Sequence, residues 1–190
     1  FMSYSSWVNI FLIFVVPVLL MGFVADERRN HTFELLMTSP ISSWQIALGK
    51  YLAGFCLAAC SVTIAFIFPV ILGLFADIDW GALGAAELGF FLMIGVYTSI
   101  GLFASSLASS PTLAVVLALV LNLSLYLLTG VQWNIETPLL AELAIQLDVV
   151  NQVNGFLKGE LHLAGLLAAL SFVVIFIFLA ERMLESEKWR

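Results

Sequence analysis

The chain has 190 residues, of which 62% are hydrophobic and only 11% are charged. Soluble domains carry about a quarter charged residues, so this composition excludes a water-soluble globular protein. The net charge of -6 would repel nucleic-acid phosphates, and because no run of Lys and Arg offsets it, a nucleic-acid-binding protein is excluded as well. The composition indicates an all-α, polytopic helical membrane protein.

Uncharged segments divide the chain into membrane spans. A helix rises 1.5 Å per residue, so about 20 apolar residues cross a hydrocarbon core of roughly 30 Å. The uncharged run from Leu88 to Val131 is too long for one crossing, and Ser109–Pro111 predicts a turn inside it. The predicted spans, all in one transmembrane domain over residues 1–190, are residues 7–25, 51–76, 88–108, 112–131 and 161–180. Residues 26–50 and 132–160 form the two long loops.

The basic residues predict which side each loop faces. All but Lys158 lie in the 26–50 loop or after the last span, at Arg28, Arg29, Lys50, Arg182, Lys188 and Arg190. Short loops rich in Lys and Arg stay in the cytoplasm, so the 26–50 loop and the C-terminus are predicted to be cytoplasmic, and the protein to lie in the cell (inner) membrane. Five spans then leave the N-terminus outside, and we expect a sixth span before residue 1 in the full gene product.

The predicted spans contain no Asp, Glu, Lys or Arg, which disfavours an ion-coupled carrier. Their uncharged polar side chains are expected to hydrogen-bond between helices; these are Ser61, Thr63, Tyr97, Thr98, Ser99, Asn122, Ser124 and Tyr126. Asn122, near the middle of its span, is the candidate for lining a pathway.

Neither a catalytic nor a metal site is predicted. The chain lacks G-x-S-x-G and H-E-x-x-H motifs, and the charge rule places His31 and His162 on opposite sides of the membrane. Gly49–Lys50 does not complete a P-loop, because Trp44 and Tyr51 stand where glycine and Ser or Thr are required. We therefore predict that the chain is not an enzyme and binds neither ATP nor another cofactor.

The 26–50 loop contains a short apolar helix. Thr32–Thr38 makes about two turns, with Phe33, Leu36 and Met37 on one face. Two turns are not stable alone, so this helix must lie on lipid or dock onto another protein. Its polar face carries Glu34 rather than Lys or Arg, which favours docking over a membrane-surface helix.

Two further helices are predicted outside the membrane. Ser42 and Gln45 match a capping box, so a helix starts there and continues through Lys50 into the second span. In the 132–160 loop, apolar residues at steps of three and four predict an amphipathic helix starting near Pro138, with Leu140, Leu143, Leu147 and Val150 on one face. This helix is expected to lie at the outer interface, to re-enter the membrane or to act as a simple lid.

The 26–50 loop resembles the permease subunits of ABC transporters of the type-2 exporter family. The matching residues are Glu27–Arg28, Thr32–Leu36, Pro40, Ile46 and Gly49–Lys50. Weaker similarity to the gliding-motility branch of the family lies at Phe156–Gly159, Leu184–Glu185 and Lys188–Trp189. His31 stands where the family usually has glycine.

The resemblance implies a membrane subunit of an ATP-driven exporter that works by alternating access, with six spans per chain. It implies a coupling helix that docks into a separate ABC ATPase subunit, formed by Thr32, Phe33, Glu34, Leu35, Leu36 and Met37. Residues that anchor the loop would be Glu27, Arg28, Arg29, Pro40, Gly49 and Lys50, with the arginines at anionic membrane lipids. ATP and Mg²⁺ would be bound by the partner ATPase, and a second permease chain would complete the pathway. A non-transporting scaffold that recruits a soluble partner through the same loop is the alternative.

Overall fold

The computed structural model describes residues 2–20, 22, 24, 25, 27, 30, 41–75, 79–131, 148–157, 159 and 162–188. Regular structure in these residues is helical, as the composition predicts. The helices are α1 (Met2–Leu20), α2 (Ser43–Gly73), α3 (Trp80–Leu107), α4 (Pro111–Val131), α5 (Val149–Leu157) and α6 (Leu163–Lys188).

Four of these helices, α2, α3, α4 and α6, are long and apolar enough to cross a membrane. The apolar part of α1 is shorter and covers Trp7–Leu20. Helix α1 is described as far as Leu20; Gly22 lies in a turn, Ala25 is again helical, and residues 21 and 23 between them lie outside the described residues, so the end of the predicted first span at residue 25 stays a prediction.

The start of α2 confirms the predicted capping box. Ser42 Oγ accepts the Gln45 backbone N–H at 3.3 Å, and Gln45 Oε1 accepts the Ser42 backbone N–H at 3.1 Å. The turn predicted at Ser109–Pro111 is also confirmed, since α3 ends at Leu107 and α4 begins at Pro111. Both features follow from local side-chain chemistry, which a sequence displays directly.

The start of α3 and the end of α6 differ most from the predicted spans. Helix α3 starts at Trp80 rather than Leu88, because the Asp79 carboxylate caps it by accepting the backbone N–H groups of Gly81 and Ala82 at 2.9 and 3.3 Å. Helix α6 continues past residue 180 to Lys188. An ion pair of 2.7 Å between Arg182 and Glu185, one turn apart, stabilises this charged extension.

Helix α3 forms the centre of the bundle. It packs against each of the other five helices. In the most apolar stretch of α3, 78% of the residues are buried, whereas 22% are buried in the corresponding stretches of α2, α4 and α6. Small residues permit this close packing: a Cβ on Gly101 would lie 2.6 Å from Leu20 Cδ1 of α1.

Helix α5 packs against α3 and α6 at one end of the bundle. Its buried face consists of Val149, Val150, Val153 and Phe156. The helix predicted to start near Pro138 falls on residues 132–147, which lie outside the described residues. Of its predicted apolar face, only Val150 is described, and it is buried in α5.

Candidate functional site

The predicted loop anchors are described only in part. Glu27, Gly49 and Lys50 belong to the described residues, as does the predicted pathway residue Asn122. The whole predicted coupling helix, Thr32–Met37, lies outside them. So do the anchors Arg28, Arg29 and Pro40.

Glu27 and Lys50 form an ion pair that joins the two ends of the 26–50 loop. Lys50 Nζ donates to Glu27 Oε1 at 2.6 Å, and the side chains are 14% (Lys50) and 32% (Glu27) exposed. Partial burial strengthens such a pair relative to one on an open surface. The loop is therefore closed at its base onto α2. Gly49, the remaining described anchor, has no atom within 4 Å of where a Cβ would lie, so close packing does not require a glycine there.

Ser105 of α3 holds the chain between α1 and the loop. Its Oγ accepts the backbone N–H groups of Val24 at 3.2 Å and Ala25 at 3.3 Å, and its side chain is fully buried. Buried N–H groups need such partners, because leaving them unpaired would be costly. Sequence reasoning missed Ser105; its only signal was a pair of small polar residues, Ser105 and Ser106, near the end of an apolar span.

A buried apolar group, here named the junction cluster, lies beside this point. It draws residues from the segment after α1 and from α2, α3 and α6: Val24, Ile46, Ala47, Leu102, Ile177, Ala180 and Leu184. Close-packed side chains transmit displacement instead of absorbing it. The ends of the 26–50 loop are thus connected mechanically to α2, α3 and α6.

The described ends of the 26–50 loop, the α3–α4 turn and the C-terminal part of α6 lie at the same end of the bundle. Ala25 packs with Ala108 and Ala114 of the turn region, while Val24 shares the junction cluster with Leu184. This is the relative arrangement that the distribution of Lys and Arg predicts. That this end faces the cytoplasm stays a prediction.

One polar pair joins α1 to α3 inside the bundle. Tyr97 Oη donates to Asn9 Oδ1 at 2.8 Å, and both side chains are buried. The expected hydrogen bonding between helices is therefore confirmed for Tyr97. Its partner Asn9, 88 residues away in sequence, was missed.

Other polar residues in the spans bond within their own helix. The expectation of interhelical bonds is wrong for four residues whose hydroxyls donate to carbonyls three or four positions earlier: Ser61, Thr63, Ser99 and Ser124. Such back-bonding satisfies a hydroxyl in an apolar surrounding without a second helix.

Asn122 lies in the interior of the helix bundle instead of on its surface. Its side chain is fully buried, and neither its Oδ1 nor its Nδ2 has a hydrogen-bond partner among the described residues. A buried amide in this state is costly and therefore unusual. Its role as a pathway residue stays a prediction.

Comparison with known proteins identifies the family of the chain. A search of curated proteins finds no match. A family model described as ABC-2 family transporter protein matches residues 2–146, which include α1 to α4 and the whole 26–50 loop. Because the match covers most of the chain, this multi-pass membrane protein belongs to the ABC-2 family and is an ABC transporter permease.

Proposed function

We propose that this permease is the membrane subunit of an ATP-driven exporter and that its 26–50 loop docks onto a separate ABC ATPase subunit. Thr32–Met37 would form the docking helix, and ATP and Mg²⁺ would be bound by the ATPase. A second permease chain would complete the pathway. The observation that carries the proposal is the double attachment of this loop to the bundle, through Glu27–Lys50 and through Ser105.

The attachment suggests how work done by the ATPase would reach the membrane. When two ATPase subunits close on ATP, the docked loops would be drawn together. The ion pair would pass this movement to α2, and the Ser105 contacts and the junction cluster would pass it to α3 and α6. Tilting of α1 and α2 would then open the pathway alternately to each side.

The finer parts of the proposal rest on the sequence. The excess of Lys and Arg at the loop end supports a cytoplasmic loop and C-terminus in the cell (inner) membrane. The residues after Phe156 support a place in the gliding-motility branch. Arg28 and Arg29 would hold the loop near anionic lipid headgroups.

Substitution of the docking face tests the proposal in the complete transporter. Phe33→Asp and Leu36→Asp, made singly, place a charge on the apolar face that would be buried against the ATPase. We expect each to remove copurification of the ATPase while membrane insertion is unchanged. Ser186→Asp is the matched control, since it adds an acid to an exposed site near the end of α6. It should leave copurification intact.

Three results would count against the proposal. ATPase capture by both docking variants at the level of the unmodified chain would remove the docking role. Labelling of a cysteine placed at Thr32 by an impermeant reagent from outside the cell would reverse the topology. Capture of a partner that hydrolyses no ATP would instead favour the scaffold alternative.

A further inference from the structure

A cleft of about 210 Å³ lies between α2, α3, α5 and α6. Two of its walls come from α3 between Leu88 and Gly95 and from α6 between Leu166 and Val173. These stretches are uncharged and belong to membrane-crossing helices. The cleft is therefore at membrane depth, where the surrounding medium is hydrocarbon.

The cleft has an exposed rim and a buried floor. Leu88 and Leu170 on the rim are 53% and 47% exposed, whereas Ala169 on the floor is 1% exposed. Gly95 is also buried and deepens the floor, since a Cβ there would lie 3.2 Å from Tyr51 Oη and 3.6 Å from Val173 Cγ2. The space thus opens sideways, towards lipid.

The lining determines what can fill this space. It is made of aliphatic and aromatic side chains with one hydroxyl, that of Tyr51. An apolar cavity of this kind stays dry, and left empty it forfeits dispersion contacts along its walls. An apolar cavity of about 150 Å³ holds the six carbons of benzene, so the larger cleft has room for about eight carbons of a chain.

We propose that the cleft holds the terminal part of one acyl chain of a membrane phospholipid, which enters past Leu88 and Leu170. The bilayer supplies such chains at the rim, and an unbranched chain fits a narrow space that ends at Gly95 and Ala169. The occupant would be a retained lipid that seals the gap between α2 and α6. This inference depends only on the membrane location of the chain and not on the proposed transport activity.

Photolabelling in vesicles tests the site. The intact permease is placed in phosphatidylcholine vesicles containing a phospholipid with a diazirine at the end of one acyl chain. We expect labels on the floor residues Gly95 and Ala169. A phospholipid with the diazirine beside the ester should label the rim at Leu88 or Leu170 instead.

Filling the floor should remove the label. Ala169→Leu extends a side chain into the cleft, and we expect floor labelling to fall about tenfold. Ala164→Leu, the same change at an exposed site of α6 outside the lining, should leave labelling unchanged. Gly95→Ala, a smaller change in the floor, gives a second reading if Ala169→Leu lowers the yield of folded protein, and it should reduce labelling in part.

Two results would overturn the proposal. Equal floor labelling in Ala169→Leu, Gly95→Ala and Ala164→Leu would show that no chain occupies the cleft. Absence of floor labelling together with a crosslink from the floor to residues 132–147 would show that the protein's own loop fills it.

Discussion

Gly165 lies at a close contact between α5 and α6. A Cβ at this position would lie 2.5 Å from the Gln152 carbonyl oxygen and 3.1 Å from Phe156 Cε2. The first of these neighbours is backbone, which cannot rotate away as a side chain can. The contact between the two helices therefore requires glycine on α6.

We expect Gly165→Ala to destabilise the protein by about 1–3 kcal/mol, because α5 must move away from α6. Thermal unfolding in detergent measures the change. Gly84→Ala is the control, since no atom lies within 4 Å of its added Cβ. In a helix interior this control should be neutral or stabilising by about 0.5–1 kcal/mol. Equal stability of the two variants would contradict the close contact.

Asp148 caps α5 while its side chain is 1% exposed. It accepts the Asn151 backbone N–H at 2.8 Å. Burial raises the pKa of the Asp148 carboxyl above its ordinary value, and the hydrogen bond from Asn151 only partly opposes this rise. The native state therefore favours the protonated form. Stability contributed by that form is full below the ordinary pKa of 3.8 and is lost as the pH rises through the raised pKa.

Asp148→Asn should consequently raise the melting temperature at pH 7, because asparagine caps a helix about as well as aspartate and carries no charge. The difference from the unmodified chain should shrink as the pH falls through the raised pKa, where Asp148 becomes neutral. Melting curves from pH 4 to pH 7 measure it. Asp79→Asn, the same substitution at the exposed cap of α3, is the matched control. A difference that grows as the pH falls would contradict the assignment.

At the scale of elements, the start of α2 depends on a reciprocal pair of hydrogen bonds between Ser42 and Gln45. We expect Ser42→Ala to weaken the first turn by about 0.5–2 kcal/mol. Amide hydrogen exchange over residues 43–46 should accelerate, because the Gln45 N–H loses its partner and the first turn opens more often. Ser43→Ala, which leaves the capping box intact, should exchange like the unmodified chain. Equally faster exchange in Ser42→Ala and Ser43→Ala would show that loss of either serine, and not loss of the capping box, opens the first turn.

How much of each element could be predicted depends on how local its cause is. The capping box of α2 and the α3–α4 turn were predictable, because the residues that cause them are adjacent in sequence. The start of α3 was not predictable in this way, because charged residues set the limits of the predicted spans. Asp79 falls between two of these spans, whereas in the structure it caps the helix. Charge also ended the last predicted span at 180, although charged residues continue α6 outside the apolar layer.

For the candidate site, the sequence predicted individual residues but not the contacts between them. Family resemblance identified Glu27 and Lys50 as anchors, but their direct contact spans 23 positions and has no local signature. The Ser105 contacts span 80 and 81 positions, and the Asn9–Tyr97 bond spans 88. Such pairings come from the packing of helices, which hydropathy alone does not determine.

For the whole molecule, we expect the Glu27–Lys50 ion pair to couple movement of the 26–50 loop to movement of the helix bundle. Glu27→Gln and Lys50→Gln each remove one charge and should lower transport-coupled ATP hydrolysis in the complete transporter without loss of ATPase binding. The double exchange, Glu27→Lys with Lys50→Glu, restores opposite charges and should recover much of the coupling. Measured together, hydrolysis and copurification separate coupling from docking.

A matched control uses the ion pair on α6. Glu185→Gln removes the nearer of the two carboxylate partners of Arg182, and neither Arg182 nor Glu185 belongs to the junction cluster. Coupling should be unchanged by this variant. If Glu27→Gln and Glu185→Gln behave alike, or if the double exchange is no better than the single changes, the ion pair has no special role.

The central position of α3 also affects how the protein reaches its fold during synthesis. Among the four long helices, α3 has the lowest mean hydropathy and is the most buried. Transfer of a single helix from the translocon into lipid is least favourable in free energy for α3, because it carries glycines, serines and Glu87 in place of larger apolar groups. We expect it to wait beside the translocon until α1 and α2 are available to surround it, so that stable integration of α3 reports on the presence of α1 and α2.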